Sequence, residues 1–151
     1  MAAVTVDLSA MPLLSQASAL DIDALQALSH IRTVRTGKKI FKPGGGDDAL
    51  YLIRSGLVQV TTSPHKKDGF ELAQLGPGSV LCSNGFLQCD SPSLEAVAVT
   101  DAELYVLPRA ALDALAVEHG TVATALMAES ARNLTLQLSS AMENLLASQS
   151  Q

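Results

Sequence analysis

Apolar and polar positions change their spacing twice along this 151-residue chain. Near the start, Ile22, Leu25 and Leu28 recur at steps of three residues, which keeps them close to one face of a short helix. Ser18 and Asp21 are both residue types that cap the first turn of a helix. The pattern therefore predicts a short helix that begins near Ser18.

The middle of the chain is rich in glycine and in short apolar runs. Nine of the ten glycines lie between Gly37 and Gly85. Val58 and Val60 alternate with polar neighbours, which is the two-residue period of a half-buried strand. The strand candidates in this region are IRTVRT, KKIF, ALYLIR, LVQVTTS, FELAQL, LEAVAVT and ELYVL. Short strands separated by turn residues at this spacing predict a sandwich or a barrel.

The last third of the chain changes to a helical pattern. The segment RAALDALAVEHG predicts one helix, ended by Gly120. Residues 121–149 then contain neither glycine nor proline. A helix over that range is roughly 43 Å long at the usual rise per residue, more than twice the mean helix length.

This long helix carries a heptad pattern. Steps of four, three, four, three and four residues separate the members of its apolar seam. The seam residues are Met127, Ala131, Leu134, Leu138, Ala141 and Leu145. Such a repeat over three heptads predicts that two helices pair, so we expect a homodimer.

The alternative is that the long helix packs along its own β unit. Leu126, Leu136 and Leu146 lie off the seam and are the residues expected to face the barrel. The length of the helix favours pairing with a second copy, because a small barrel covers only part of it.

Charge argues against a nucleic-acid partner. The net charge is −5 and the pI is about 5.0, whereas nucleic-acid binders usually present a basic patch. The densest basic cluster comprises Arg32, Arg35, Lys38, Lys39 and Lys42. We interpret it as a solvated strand edge. No apolar run approaches the ~18 residues of a membrane span, and the start lacks the pattern of a secretory signal, so we expect a cytoplasmic protein.

Cysteine and histidine positions give no sign of a metal site or of catalysis. Cys82 and Cys89 make at most one pair, and a structural zinc site needs about four ligands. His30, His65 and His119 are scattered, and none shares a ligand spacing with the cysteines. We therefore predict free thiols, with an oxidation switch as a less favoured reading. We also predict no metal, no cofactor and no enzymatic activity.

The order of these parts resembles a known family. Residues 37–60 are similar to the first half of a cyclic-nucleotide-binding domain of the catabolite-activator (Crp-Fnr) type. The matching positions are Gly37, Ile40, Phe41, Gly46, Asp47, Tyr51, Leu52, Ile53, Ser55 and Gly56. Residues 75–80 and 98–115 resemble the two flanks of the phosphate-binding cassette of that family.

The resemblance implies a mainly β fold with flanking helices. Its core is a double-stranded β-helix, or jelly-roll barrel, with a short N-terminal helix and a long C-terminal dimerisation helix. Residues 1–11 become an N-terminal tail, and residues 12–151 become the domain, with its last helix at 121–149. DNA-regulating relatives carry a helix-turn-helix after that helix, and here the chain ends at Gln151, so we expect no direct contact with DNA.

The cassette itself departs from the family pattern. Family members that bind cyclic nucleotides have a Phe-Gly-Glu triplet and, later, a Pro-Arg pair whose arginine holds the phosphate. Here Ser83 stands at the glutamate position, and Pro92, or with a shift Ser91 or Ser93, stands at the arginine position. Losing a charged hydrogen bond of ~1.5–3 kcal/mol weakens binding by about one to two decades. We therefore expect the usual binding of cyclic AMP to be lost.

Three contents remain for the loop. In the first, the loop is empty and the domain is a scaffold. In the second, it holds a neutral or cationic small molecule. In the third, it binds a nucleotide with Arg54 or Arg132 as the cation. The candidate cassette residues are Gly78, Cys82, Ser83, Asn84, Gly85, Ser91, Pro92 and Ser93. The first prediction is a non-catalytic regulatory homodimer that acts through a partner protein. The second is a small-molecule or cyclic-nucleotide sensor with a non-standard pocket.

Overall fold

Two antiparallel sheets form the body of the molecule. The structure, a computed structural model, describes residues 5–41, 48–62, 71–83, 86 and 94–149. Within these ranges the strands are β1 (His30–Val34), β2 (Lys39–Phe41), β3 (Ala49–Ser55), β4 (Val58–Thr62), β5 (Glu71–Leu75), β6 (Val80–Cys82), β7 (Leu94–Ala98) and β8 (Ala102–Pro108). One sheet has the order β1-β8-β3-β6 and the other the order β2-β7-β4-β5. The predicted jelly-roll barrel is confirmed, and β6 is the strand that the sequence pattern missed.

One helix precedes the strands along the chain, and two helices follow them. They are α1 (Ala19–Leu28), α2 (Arg109–Glu118) and α3 (Gly120–Gln149), preceded by single 3-10 turns at Leu8–Ala10 and Pro12–Leu14. At the start of α1, the Ser18 hydroxyl accepts from the Asp21 N–H, and the Asp21 carboxylate accepts from the Ser18 N–H. Both cap candidates therefore act together as a capping box.

The boundary between the last two helices lies one residue earlier than predicted. We expected Gly120 to end the second helix, but α2 ends at Glu118 and Gly120 is the first residue of α3. The break falls at His119, whose N–H still donates to the Leu115 carbonyl while its own carbonyl accepts from the Val122 N–H. One residue thus closes α2 and opens α3.

Alternate residues of β3 belong to two different cores. Tyr51 and Ile53 pack in the cluster between the two sheets. Leu50 and Leu52 pack on the opposite face, in the cluster formed with the helices and the N-terminal turns. Because both faces of β3 are covered, the strand is an almost continuous apolar run.

The N-terminal segment lies against the second core. The Val6 N–H donates to the Arg54 carbonyl at 2.8 Å, and Leu8 and Met11 are buried. We had assigned residues 5–11 to a tail, and in the structure they cover the end of β3. The domain boundary at residue 12 stays a prediction.

Helix α3 packs along the outer strands of the two sheets. It contacts β5 and β6, which stand at the ends of the two strand orders. The Asn133 amide donates to the Val80 carbonyl at 2.7 Å, so a helix side chain completes part of the β6 edge. Among the described helices, none combines the length and the apolar composition that crossing a bilayer requires.

We predict that Gly56→Ala lowers the free energy of unfolding by at least ~2 kcal/mol. Gly56 has φ +92°, and an added Cβ would lie 2.7 Å from the Ala102 Cα, so the variant combines backbone strain with a clash. Gly120→Ala is the matched control, because its Cβ would meet open space on a helix, and it should stay within ~1 kcal/mol of the wild type. Urea denaturation measures both variants, and equal losses would contradict the prediction.

We also predict that the stabilising effect of Asp101 disappears in acid. Its carboxylate accepts from the Thr36 N–H at 2.8 Å and the Thr36 hydroxyl at 2.9 Å, and these bonds lower the pKa of Asp101. A group with a lowered folded-state pKa stabilises the fold above its unfolded pKa and stops doing so as the pH falls through the folded pKa.

The deficit in melting temperature of Asp101→Asn relative to the wild type should therefore be largest near neutral pH and should shrink towards about pH 3. Asp23→Asn, on the exposed part of α1, is the control. A deficit that is constant from neutral to acid pH would show that the ionised carboxylate is not the source of the effect.

Candidate functional site

The predicted cassette connects β6 to β7, and the structure describes its beginning. Gly78, Cys82 and Ser83 lie in the described residues, as does Phe86. The remaining candidates lie outside the described residues; they are Asn84, Gly85, Ser91, Pro92 and Ser93. Their proposed role as ligand contacts stays a prediction.

Ser83, at the glutamate position of the cassette, is fully buried and bonded to the backbone. Its hydroxyl oxygen accepts from the Ala49 N–H and from the Phe86 N–H, each at 3.2 Å. Its own N–H donates to the Ala49 carbonyl. A serine hydroxyl has two acceptor positions, and two backbone groups occupy them here. Ser83 therefore ties the start of the loop to β3.

A cation that the sequence analysis did not consider lies beside the cassette. Arg109, the first residue of α2, donates to the Phe86 carbonyl, and its guanidinium carbon lies 4.3 Å from the centre of the Phe86 ring. Its Nε donates to the Asp48 carboxylate at 2.9 Å. The pairing of β3 with β8 brings Asp48 and Arg109 together, because Ala49 is opposite Pro108 in the sheet. No linear motif gives this contact.

Arg54 lies on the helix side of β3. It follows the same alternation as Leu50 and Leu52, which pack away from the barrel interior. Its guanidinium pairs with Glu103 and with Asp7, each at 3.3 Å. A role as the ligand cation would require both pairs to break.

Arg132 and Gly78 are brought together, but in a cleft on the outside of the barrel. The cleft has a volume of about 280 Å³. It is lined by Pro12, Leu13, Pro77, Gly78, Ser79, Glu129 and Arg132. The Arg132 side chain is 74% exposed and lies 3.7 Å from the Glu129 carboxylate. Cys82 and Ser83 are not part of this lining, so the described candidates Gly78, Cys82, Ser83 and Arg132 do not all line this cleft.

The interior of the barrel presents an apolar wall. Inward positions of the central strands alternate with outward ones, and the inward set contains no charged side chain. Its members on β3, β4, β7 and β8 are Ala49, Tyr51, Ile53, Val58, Val60, Leu94, Ala96, Ala98, Ala102, Leu104 and Val106. A phosphate placed against these strands would lose its hydration without gaining a cation.

The Cys82 thiol is buried under α3. Burial raises its pKa, and a hydrogen bond with the Ser130 side chain only partly offsets that effect. A buried, protonated thiol is a poor nucleophile, which does not favour the oxidation switch. Cys89 lies outside the described residues. Within the described ranges no three His, Cys, Asp or Glu side chains are grouped to hold a metal ion.

The seam of α3 is mostly exposed. Met127, Leu138 and Leu145 are each about half exposed, as are Leu136 and Leu146. We expected the last two to face the barrel, and this expectation is wrong; only Leu126 of that set is fully buried.

The barrel is met instead by a polar face of α3. Ser130, Asn133 and Gln137 are buried at steps of three and four residues, and Ala141 packs against the inner core. At 100° per residue, Leu136 lies about 90° from the middle of this buried face, on the side opposite the seam. Ala141 belongs both to the predicted seam and to the edge of the face that meets the barrel.

Comparison with known proteins agrees with this architecture. The family model for the cyclic nucleotide-binding domain matches residues 31–119. The catabolite activator protein of Thermus thermophilus superposes with a TM-score of 0.69 at 31% identity, over 90% of this chain and 63% of that one. A CooA variant from Carboxydothermus hydrogenoformans superposes with a TM-score of 0.72 at 16% identity, over 93% of this chain and 88% of that one. The likeness to CooA concerns the fold alone.

A curated relative shares part of the sequence. Glutaminase 1 of Bradyrhizobium diazoefficiens is 42% identical over 74 residues, which are 49% of this chain. The match spans 11% of the length of that glutaminase. With a family match over more than half of its length and a barrel of the same design, the chain belongs to the cyclic nucleotide-binding domain family.

Proposed function

We propose that the chain is a non-catalytic regulatory domain that forms a homodimer through α3, acts on a partner protein and no longer binds a cyclic phosphate in the usual way. The observation that carries the loss of phosphate binding is the state of three arginines. Arg54, Arg109 and Arg132 are each already paired with a carboxylate. Recruiting one of them to a phosphate would break an existing pair.

The geometry of Ser83 supports the same conclusion. A glutamate at this position would accept from a ribose hydroxyl, but the Ser83 oxygen is occupied by two backbone N–H groups. A ligand group that donated to this oxygen would leave a buried backbone donor unpaired, at a cost of about 1–3 kcal/mol.

The exposed apolar seam supports the homodimer. Leu134 is half-buried, while Met127, Leu138 and Leu145 expose much of their side chains to solvent. A contiguous apolar stripe on a helix is typical of an interaction surface, and heptad spacing suits pairing with an identical helix.

The output of the domain is proposed to be a contact with another protein. In the glutaminase that shares 42% identity with half of this chain, the matching segment is a small part of a much longer chain. We infer that the present domain also acts beside an effector unit, either on the same chain or on a separate one.

A sensor with a non-standard pocket is the second candidate. The cleft between Gly78 and Arg132 favours it, because this cleft combines a guanidinium, a carboxylate and backbone turns in about 280 Å³. A zwitterionic or otherwise polar small molecule fits that chemistry better than a cyclic phosphate does.

Calorimetry with cyclic AMP and cyclic GMP tests the proposed loss of phosphate binding. We expect no saturable binding of either nucleotide to the wild type with a dissociation constant below ~100 μM. Pro92→Arg restores the cation by sequence position, and we expect it to bind cyclic AMP at least ~10-fold more tightly than the neutral Pro92→Gln control. Low-micromolar binding by the wild type would contradict the proposal and favour the sensor.

Light scattering tests the homodimer. We expect a dimeric wild type, and a double variant with Leu138→Asp and Leu145→Asp that dissociates at least ~100-fold more readily, because two charges would be buried in each seam. Both side chains are exposed in the single chain, so the fold should survive. Leu136→Asp is the matched control on the other side of α3 and should remain dimeric. A monomeric wild type, or equal dissociation of the control, would refute the seam.

A further inference from the structure

A groove lies between α1 and α2 and reaches His119, next to the start of α3. It has a volume of about 450 Å³ and mostly apolar walls. Its lining is Ala24, Ala27, Leu28, Ala114, Val117, Glu118 and His119. None of these residues belongs to the seam of α3, so the groove and the seam can be occupied at the same time.

Helix α1 leaves part of its apolar surface exposed. Leu25 is fully buried, and Ile22 and Ala24 pack beside it against the helix-side core. Leu20, outside the groove, is 75% exposed, and Leu28, which lines the groove, is 39% exposed. Because Leu25, Ile22 and Ala24 already hold the helix on its core, Leu28 and the exposed Ala27 are available to a partner.

Helix α2 repeats this arrangement. Leu112 and Leu115 are buried against the core, while Ala114 and Val117 face the groove. Val117 is 84% exposed, the largest exposure among the large apolar side chains of the described residues. Residues of both helices thus line one groove, with Ala27 and Leu28 of α1 opposite Ala114 and Val117 of α2. A groove between two helices is a common seat for an amphipathic helix.

The charges beside the groove have one sign. Asp23 precedes Ala27 by one turn of α1, and Glu118 lines the groove directly. At the end of the groove, the Asp21 carboxylate lies 2.8 Å from His119 Nδ1, and this hydrogen bond lowers the pKa of Asp21. Helix α1 has no lysine or arginine. The one basic residue of α2, Arg109, is paired with Asp48.

We propose that this groove docks an amphipathic helix of the partner protein, with an apolar stripe that lies along the floor and lysine or arginine residues that flank it. The inference rests on the proposed action through a partner protein and identifies the surface used. Charge complementarity selects this occupant. A second copy of the chain does not fit, because each of its three described α-helices carries at most one lysine or arginine. The acidic rim also repels an anionic lipid surface.

Two synthetic helical peptides of about 18 residues test the proposal by fluorescence anisotropy with the full chain. Both carry the same leucine and alanine stripe, and they differ in having lysine or glutamate at every flanking position. We expect the wild type to bind the lysine peptide at least ~10-fold more tightly than the glutamate peptide, with an affinity that falls as salt rises.

Val117→Lys adds a charge to the apolar lining of the groove and should weaken binding of the lysine peptide at least ~10-fold. Leu136→Lys is the matched control, because it adds the same charge at an exposed apolar residue of α3. Equal affinities for the two peptides, equal behaviour of the two variants, or the absence of saturable binding by the wild type would each overturn the groove proposal.

Light scattering on Val117→Lys separates this proposal from the one on which it rests. If the variant keeps the dimer but binds the lysine peptide as tightly as the wild type does, the groove proposal alone is contradicted. A monomeric wild type would contradict the proposed regulatory homodimer, independently of the peptide results.

Discussion

Burial of β3 on both of its faces is the constraint on which the rest of this structure depends. Tyr51 and Ile53 fill the barrel, while Leu50 and Leu52 hold the helices. This alternation decides the direction of every side chain on the strand, because neighbouring residues point to opposite faces. It directs Arg54 to the helix side. At Ala49, the first residue of the strand, the backbone hydrogen-bonds to Ser83. The packing of β3 thus sets the position of Arg54, with no contribution from a ligand.

Local sequence patterns predict many features of the fold, but they do not predict the contacts of the candidate site. Glycine turns and two-residue alternation predict most strands, but β6 spans three residues that are all buried, and so short a run has no alternation to detect. The heptad pattern misassigned Leu136 and Leu146, because the face of α3 that meets the barrel is polar. The contacts of Ser83 and Arg109 join residues 34 and 61 positions apart in the chain, and no single-sequence motif encodes them.

The proposed loss of phosphate binding is compatible with an intact family fold. The barrel and its cassette flanks depend on apolar packing and on turns, which need no ligand. A phosphate seat depends on one unpaired cation, and the described arginines near the site are held by Asp48, Glu103 and Glu129. Loss of the phosphate seat, as proposed, therefore leaves the core packing intact.

The two faces of helix α3 bear on the proposed homodimer. Its buried face is apolar at Val122, Ala123 and Leu126. Beyond them it is polar, and there Asn133 donates to the β6 edge while the Gln137 Oε1 has no hydrogen-bond partner among the described residues. Its outward face carries the leucines. Each leucine side chain moved out of water contributes roughly 1.5–3 kcal/mol, whereas a buried hydrogen bond contributes about 1. Along the second half of α3, packing on the barrel alone would favour leucines on the buried face, so their outward position supports the proposed pairing with a second copy.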